Sequence, residues 1–275
     1  MSLDFQLIHE DLETGRAVLL FHGMTGSPYE LKKYGQYLYS LGYDVYADCL
    51  PGHGDKVEEI NTVSYNDWLK CAYDRFEELR SKYKEVFVSG LCLGAVLALA
   101  IAEKYPNDVK GVIALSTTLF LDGWRLPWFS FMLQFALSTL LRFYYTYPEC
   151  EPYGIKNLKT RRIVSKLLEK SDVGMTDFPM TCIYELFKLS RYVRNKQRIK
   201  NIVAPVLFIH SREDDLTSPK GAYLVYNSIS SEDKKIIILE DSYHMVLYDN
   251  EKEFVFETVG NFMNSHSEVK ECVVC

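Results

Sequence analysis

Gly90-Leu91-Cys92-Leu93-Gly94 sets one thiol between two glycines. The run before it, 86–89, is short and apolar like a buried strand, and 93–104 has a helical pattern. A nucleophile on such a strand-to-helix turn projects above the sheet, over the N–H groups that open the helix. Residues two before and two after the central one approach too closely for a Cβ, which accounts for the glycines. Cys92 stands where this pattern usually carries serine, and a thiolate there is suited to attack an acyl carbonyl. A buried cysteine is often inert packing, so the strand-turn-helix context carries the reading.

A thiol nucleophile of this kind needs a base and a group to orient that base. His244 lies between the apolar run 236–239 and a closing helical pattern at 251–263, where the base is expected. The acid is expected in the loop leaving the strand-like run 205–210, which holds Glu213, Asp214 and Asp215 ahead of Pro219. Asp214, five residues before the proline, fits best; Asp215 is its rival and Glu213 fits least. The order nucleophile, acid, histidine is itself a signature. The run 17–23 ends in His22-Gly23, and the backbone N–H groups of Met24 and Leu93 are the expected oxyanion donors. His22 is expected to fix its loop rather than act as base.

The elements that must hold these residues alternate. Strands are expected at 17–23, 43–47, 86–89, 109–116, 205–210 and 236–239. Helices are expected at 29–41, 67–82, 93–104 and 251–263. That rhythm predicts an α/β fold with a mostly parallel central sheet flanked by helices. It breaks at 119–185, which reads as an inserted helical cap within a core of 1–118 and 186–265, followed by a flexible tail at 266–275. The apolar stretch 126–141 predicts a cap helix; it is shorter than the roughly 20 residues a membrane span needs. Residues 156–170 predict an amphipathic cap helix with a charged outer face. Trp124, Trp128 and Phe131 are the aromatic candidates for substrate contact.

A net charge of −6 argues against a nucleic-acid partner. Seven irregularly spaced cysteines form no disulfide framework, and the first residues lack a basic-then-apolar leader, so a cytoplasmic location is expected. Cys272-Val-Val-Cys275 has the form of a prenylation signal, which would give peripheral membrane association, but a free tail with two thiols is favoured. Weak membrane-surface contact through the cap is the other membrane reading. No metal or cofactor is expected.

The motifs together resemble the carboxylesterase and monoacylglycerol-lipase-like branch of the α/β-hydrolase superfamily. The resemblance rests on His22-Gly23-Met24-Thr25-Gly26, Pro51-Gly52-His53-Gly54, Asn66-Asp67-Trp68, the Cys92 elbow, the loop from Asp214 to Pro219, and Ser242-Tyr243-His244. It implies a hydrolase of carboxylic esters, lipid esters among them, working through an acyl-enzyme on Cys92, and it implies that His53 braces its loop. Two departures stand out: Cys92 for the family's serine and Ala95 for its usual glycine. The elbow itself is similar to that of dienelactone hydrolases, which favour small anionic lactones. Three alternatives stay open: an acyltransferase or thioesterase using the same residues, a catalytically silent ligand-binding homologue, and an engineered Ser-to-Cys variant of a serine esterase.

Overall fold

The computed structural model describes residues 3–10, 15–54, 57–127, 130, 132–169 and 177–268. A seven-stranded sheet runs in the order β1 (Phe5–Leu7), β3 (Asp44–Ala47), β2 (Arg16–Phe21), β4 (Glu85–Leu91), β5 (Val109–Leu115), β8 (Val206–Ser211), β9 (Lys234–Leu239). Every neighbouring pair is parallel except β1 with β3. With helices on both faces, this is the α/β-hydrolase fold. The six expected strands are present. The seventh, β1, is a three-residue edge strand, too short for an alternating pattern to announce it.

Strands β2 and β4 are buried along their whole length, as the continuous apolar runs of a doubly covered sheet require. One face carries α3 (Tyr65–Lys82), α4 (Leu93–Lys104), α7 (Met180–Val193) and α8 (Lys220–Ser228), with α2 (Val57–Ile60) a single turn ahead of α3; the other carries α1 (Lys32–Ser40) and α9 (Lys252–His266). α3 begins in a capping box in which Ser64 and Asp67 each accept the other's backbone N–H. Its fully buried Trp68 donates to the Pro51 carbonyl at 3.1 Å, pinning the glycine-histidine-glycine loop to the core.

Between β5 and β8 the chain leaves the sheet. It builds α5 (Leu133–Leu137), a 3₁₀ turn at Leu140–Phe143, a two-stranded ladder of β6 (Thr146–Pro148) with β7 (Asp177–Pro179), α6 (Leu158–Glu169), and then α7. The single helix expected over 126–141 is instead this short helix and separate turn. The Ser138 and Thr139 hydroxyls donate to the Phe135 and Ala136 carbonyls at 2.6 and 2.7 Å, and Thr139 Oγ1 then accepts Leu141 N–H. Those bonds compete with helical ones and end α5. α6 matches the helix expected at 156–170, with Asn157 Oδ1 accepting the N–H groups of Lys159 and Thr160 at 3.0 Å. Its outer face is not purely charged: Leu158 and Ile163 are exposed beside Lys159 and Arg162. α7 runs unbroken across 185/186, where the sequence suggests a boundary. Among the described residues, no helix is long and apolar enough to cross a membrane. Cys272 and Cys275 lie outside the described residues.

Candidate active site

Cys92 follows β4 with φ 59° and ψ −113°, a conformation that L residues avoid, and α4 begins at the next residue. Its N–H donates to the Leu115 carbonyl at 3.0 Å, extending the β4–β5 pairing through the strained residue. A Cβ on Gly90 would lie 2.1 Å from the Gly94 carbonyl carbon, and one on Gly94 would lie 2.1 Å from the Phe21 oxygen. The glycines thus let α4 close against β4 and β2, and closure is what lifts the thiol above the strand ends. Leu93 belongs to the first helical turn, whose N–H groups have no intrahelical partner. Thr118 donates its hydroxyl to Cys92 Sγ at 3.2 Å.

His244 sits in the loop after β9 and is buried. Its Nδ1 meets Asp214 Oδ2 at 2.8 Å, and it shares the cavity wall with Cys92. Burial disfavours the charged imidazole, but the Asp214 carboxylate and Cys92 outweigh it and raise its pKa well above the ordinary histidine value. Asp214 moves the opposite way. Burial pushes its carboxyl up, while His244, His210 and the Thr217 N–H hold it below the usual range. Asp214 Oδ1 accepts the N–H groups of Leu216 and Thr217, each at 2.9 Å, so the turn itself aims Oδ2 at the imidazole. Asp215 makes no hydrogen bond to His244. Both its carboxylate oxygens are buried without a hydrogen bond, and Arg125 Nη1 is 3.8 Å away. Glu213 is exposed and pairs with Lys156 at 2.6 Å.

The histidine loop is held from four sides. Ser116 donates to the His244 carbonyl at 2.6 Å and Ser211 to the Tyr243 carbonyl at 2.7 Å. Met245 N–H donates to the Gly154 carbonyl at 2.8 Å. Buried Asp249 accepts four backbone N–H groups, those of Tyr243, Lys156, Asn157 and Asn250, at 2.6–2.9 Å. One carboxylate therefore ties the loop that carries His244 to the chain entering α6. Asp249→Ala should cost about 2–4 kcal/mol by orphaning these donors, with a fall in catalytic turnover. Urea melts would check it; a loss under about 0.5 kcal/mol would show that the carboxylate is dispensable.

His22 is fully buried and occupied on both nitrogens. Nδ1 meets the Gly23 carbonyl at 2.8 Å and Nε2 accepts Leu50 N–H at 3.0 Å. Burial and His53 push its pKa down to about 3, so it is a neutral brace for the loop. His53 packs edge-on against it at 4.9 Å between ring centroids.

Gly23, Met24, Cys92 and His244 open onto one cavity of about 430 Å³, within the range of small-ligand sites. Most of its wall is apolar, including Leu121, Leu126, Leu133, Met180, Ile183 and Leu186. Trp124 does not line it. Its indole donates to the Glu213 carbonyl at 2.9 Å and packs on Tyr243, an exposed place over the acid and histidine loops. Trp128 and Phe131 lie outside the described residues. Sequence reasoning passed over Glu30, Arg125 and Glu149, all on the cavity wall. Burial is the main cause that pushes both glutamates up to about 7.

A model of the family described as serine aminopeptidase, S33, matches residues 13–252. A carboxylesterase of Bacillus subtilis (strain 168) is 28% identical over 252 residues, which cover 90% of this chain and 92% of that protein. A thermostable monoacylglycerol lipase of Bacillus sp. (strain H-257) is 26% identical over 251 residues, 91% of each chain. The crystal structure of Paleococcus ferrophilus monoacylglycerol lipase superposes with a TM-score of 0.76 at 21% identity, covering 96% of this chain and 98% of that one.

Proposed function

Because the chain belongs to the serine aminopeptidase S33 family of α/β hydrolases, and is an esterase- and lipase-like hydrolase, we propose that it cleaves acyl esters through Cys92. The observation that carries this is the strained Cys92 and the hydrogen-bonded His244–Asp214 pair, with Cys92 and His244 lining one largely apolar cavity. His244 takes the Cys92 proton and Asp214 offsets the imidazolium charge. The thiolate attacks the acyl carbonyl, and the Met24 and Leu93 N–H groups receive the oxyanion. Collapse releases the alcohol with the proton from His244 and leaves a thioester on Cys92. His244 then deprotonates water, which attacks the thioester; the acid leaves and the thiol is restored. The chain between β5 and α7 serves as a cap over the α/β core, and the substrate is a small acyl ester or lipid ester.

The apolar wall makes a specific demand. Each methylene buried there is worth about 0.8 kcal/mol, or about fourfold in kcat/KM, until the cavity is filled. A ladder of p-nitrophenyl esters from acetyl upward should therefore show a steep rise and then a plateau. Alkylation mapped to Cys92 should abolish the turnover. A flat ladder would remove the cavity from acyl recognition, and bound ester without turnover would favour a ligand-binding protein.

A further inference from the structure

Glu30 stands on the short 3₁₀ turn Pro28–Leu31, and its carboxyl reaches back into the loop after β2. Its Oε1 accepts Gly23 N–H at 2.5 Å. Its other oxygen fills the space beside Gly26, where an added Cβ would lie 1.9 Å from Oε2. A Cβ on Gly23 would lie 3.2 Å from the same carboxyl and 3.6 Å from Cys92 Cβ, so the loop passes between acid and nucleophile. Glu30 also lines the cavity. Its side chain thus spans the ends of the turn containing Met24, the proposed oxyanion donor.

We infer that Glu30 is a positioning residue of the oxyanion loop, and that it works as the neutral acid while the oxyanion forms beside it. A carboxylate next to a developing negative charge opposes that charge, whereas the protonated acid holds Gly23 N–H without this penalty. The groups facing Glu30 pull both ways, and burial decides for the neutral state. Glu149, from the chain after β6, faces it as a second half-buried carboxyl; Arg125 and Cys92 share the cavity wall. His244, held by Asp214, faces it from the loop after β9, and His22 beside Gly23 is neutral. The Tyr248 hydroxyl donates to the Glu30 backbone carbonyl at 2.6 Å, which leaves the carboxyl free to titrate. Burial raises Glu30 to about 7, with Glu149 adding to the rise and Gly23 N–H and His244 opposing it. The folded value lies above the ordinary one, so the neutral form is present below about 7 and is lost as pH rises through it.

The inference rests on Cys92 being the nucleophile, and the test separates the two. The kcat/KM profile of the parent should begin to fall near pH 7. Glu30→Gln keeps an acceptor for Gly23 N–H but cannot ionise. It should retain kcat within about threefold of the parent at pH 6 and move the fall upward by about one pH unit or more. Glu30→Ala should lower kcat roughly 10- to 100-fold at every pH with little change in KM. A Glu30→Gln profile that overlays the parent, with Cys92→Ala inactive, overturns this inference alone. A shift produced by Glu149→Gln and not by Glu30→Gln also overturns it. Cys92→Ala with full activity would sink the nucleophile assignment, and this inference with it.

Discussion

Cys92→Ala is expected to lower kcat/KM for acyl esters by about 10⁴-fold or more, a loss of about 5.5 kcal/mol of transition-state stabilisation. Alanine keeps the Cβ that the positive-φ backbone already carries, so the elbow and α4 remain in place. The 2.8 Å pairing of His244 with Asp214 does not involve the sulfur and should also persist. What disappears is the atom proposed to bond to the acyl group, which also accepts the Thr118 hydroxyl. The residual rate would then reflect the oxyanion donors and binding alone. Steady-state kinetics on purified, folded variant decides the matter; a variant retaining more than about a tenth of parental kcat/KM would show that the chemistry runs elsewhere.

The largest effect on stability is expected at Gly90. An alanine Cβ there would sit 2.1 and 2.2 Å from the Gly94 carbonyl carbon and oxygen, and both are backbone atoms that no rotamer change can move. The helix would have to lift off β4, and α4 is buried along nearly its whole length. Gly90→Ala should therefore cost more than about 4 kcal/mol, enough to leave much of the protein unfolded. Gly111→Ala is the useful contrast, because its nearest neighbours are ring atoms of the Phe87 and Phe262 side chains, at 2.9 Å and beyond. Thermal melts of the two variants should differ widely. Equal melting temperatures would mean that the strand-helix contact yields more easily than its geometry suggests.

The sheet was legible because buried parallel strands write themselves as short apolar runs, and β2, β4 and β8 are of that kind. Cys92 and His244 were legible because each sits where a strand ends in a turn. The preference for Asp214 over Asp215 rested only on its spacing to Pro219, although it is Asp214 that pairs with His244. The choice depends on which carboxylate takes the turn's N–H groups at Leu216 and Thr217, and two adjacent aspartates look alike in sequence. Glu30 and Glu149 gave no signal because an acid beside a tyrosine or a cysteine reads as a surface residue. Only the fold shows that both are carried to the cavity wall, from segments more than a hundred residues apart. The aromatic stretch misled in the other direction. Phe135, Phe143, Tyr144 and Tyr145 face outward, while Tyr147 joins aliphatic Leu121, Leu126 and Leu133 in the wall.

The central claim is a covalent bond between the acyl group and Cys92, and rapid quenching during turnover of a slow ester tests it most directly. Intact mass spectrometry of the acid-quenched protein should show one acyl adduct, mapped to the peptide carrying Cys92. Neutral hydroxylamine should remove it, as a thioester requires. Steady turnover with no adduct at Cys92, or with the acyl group on another residue, would contradict the account.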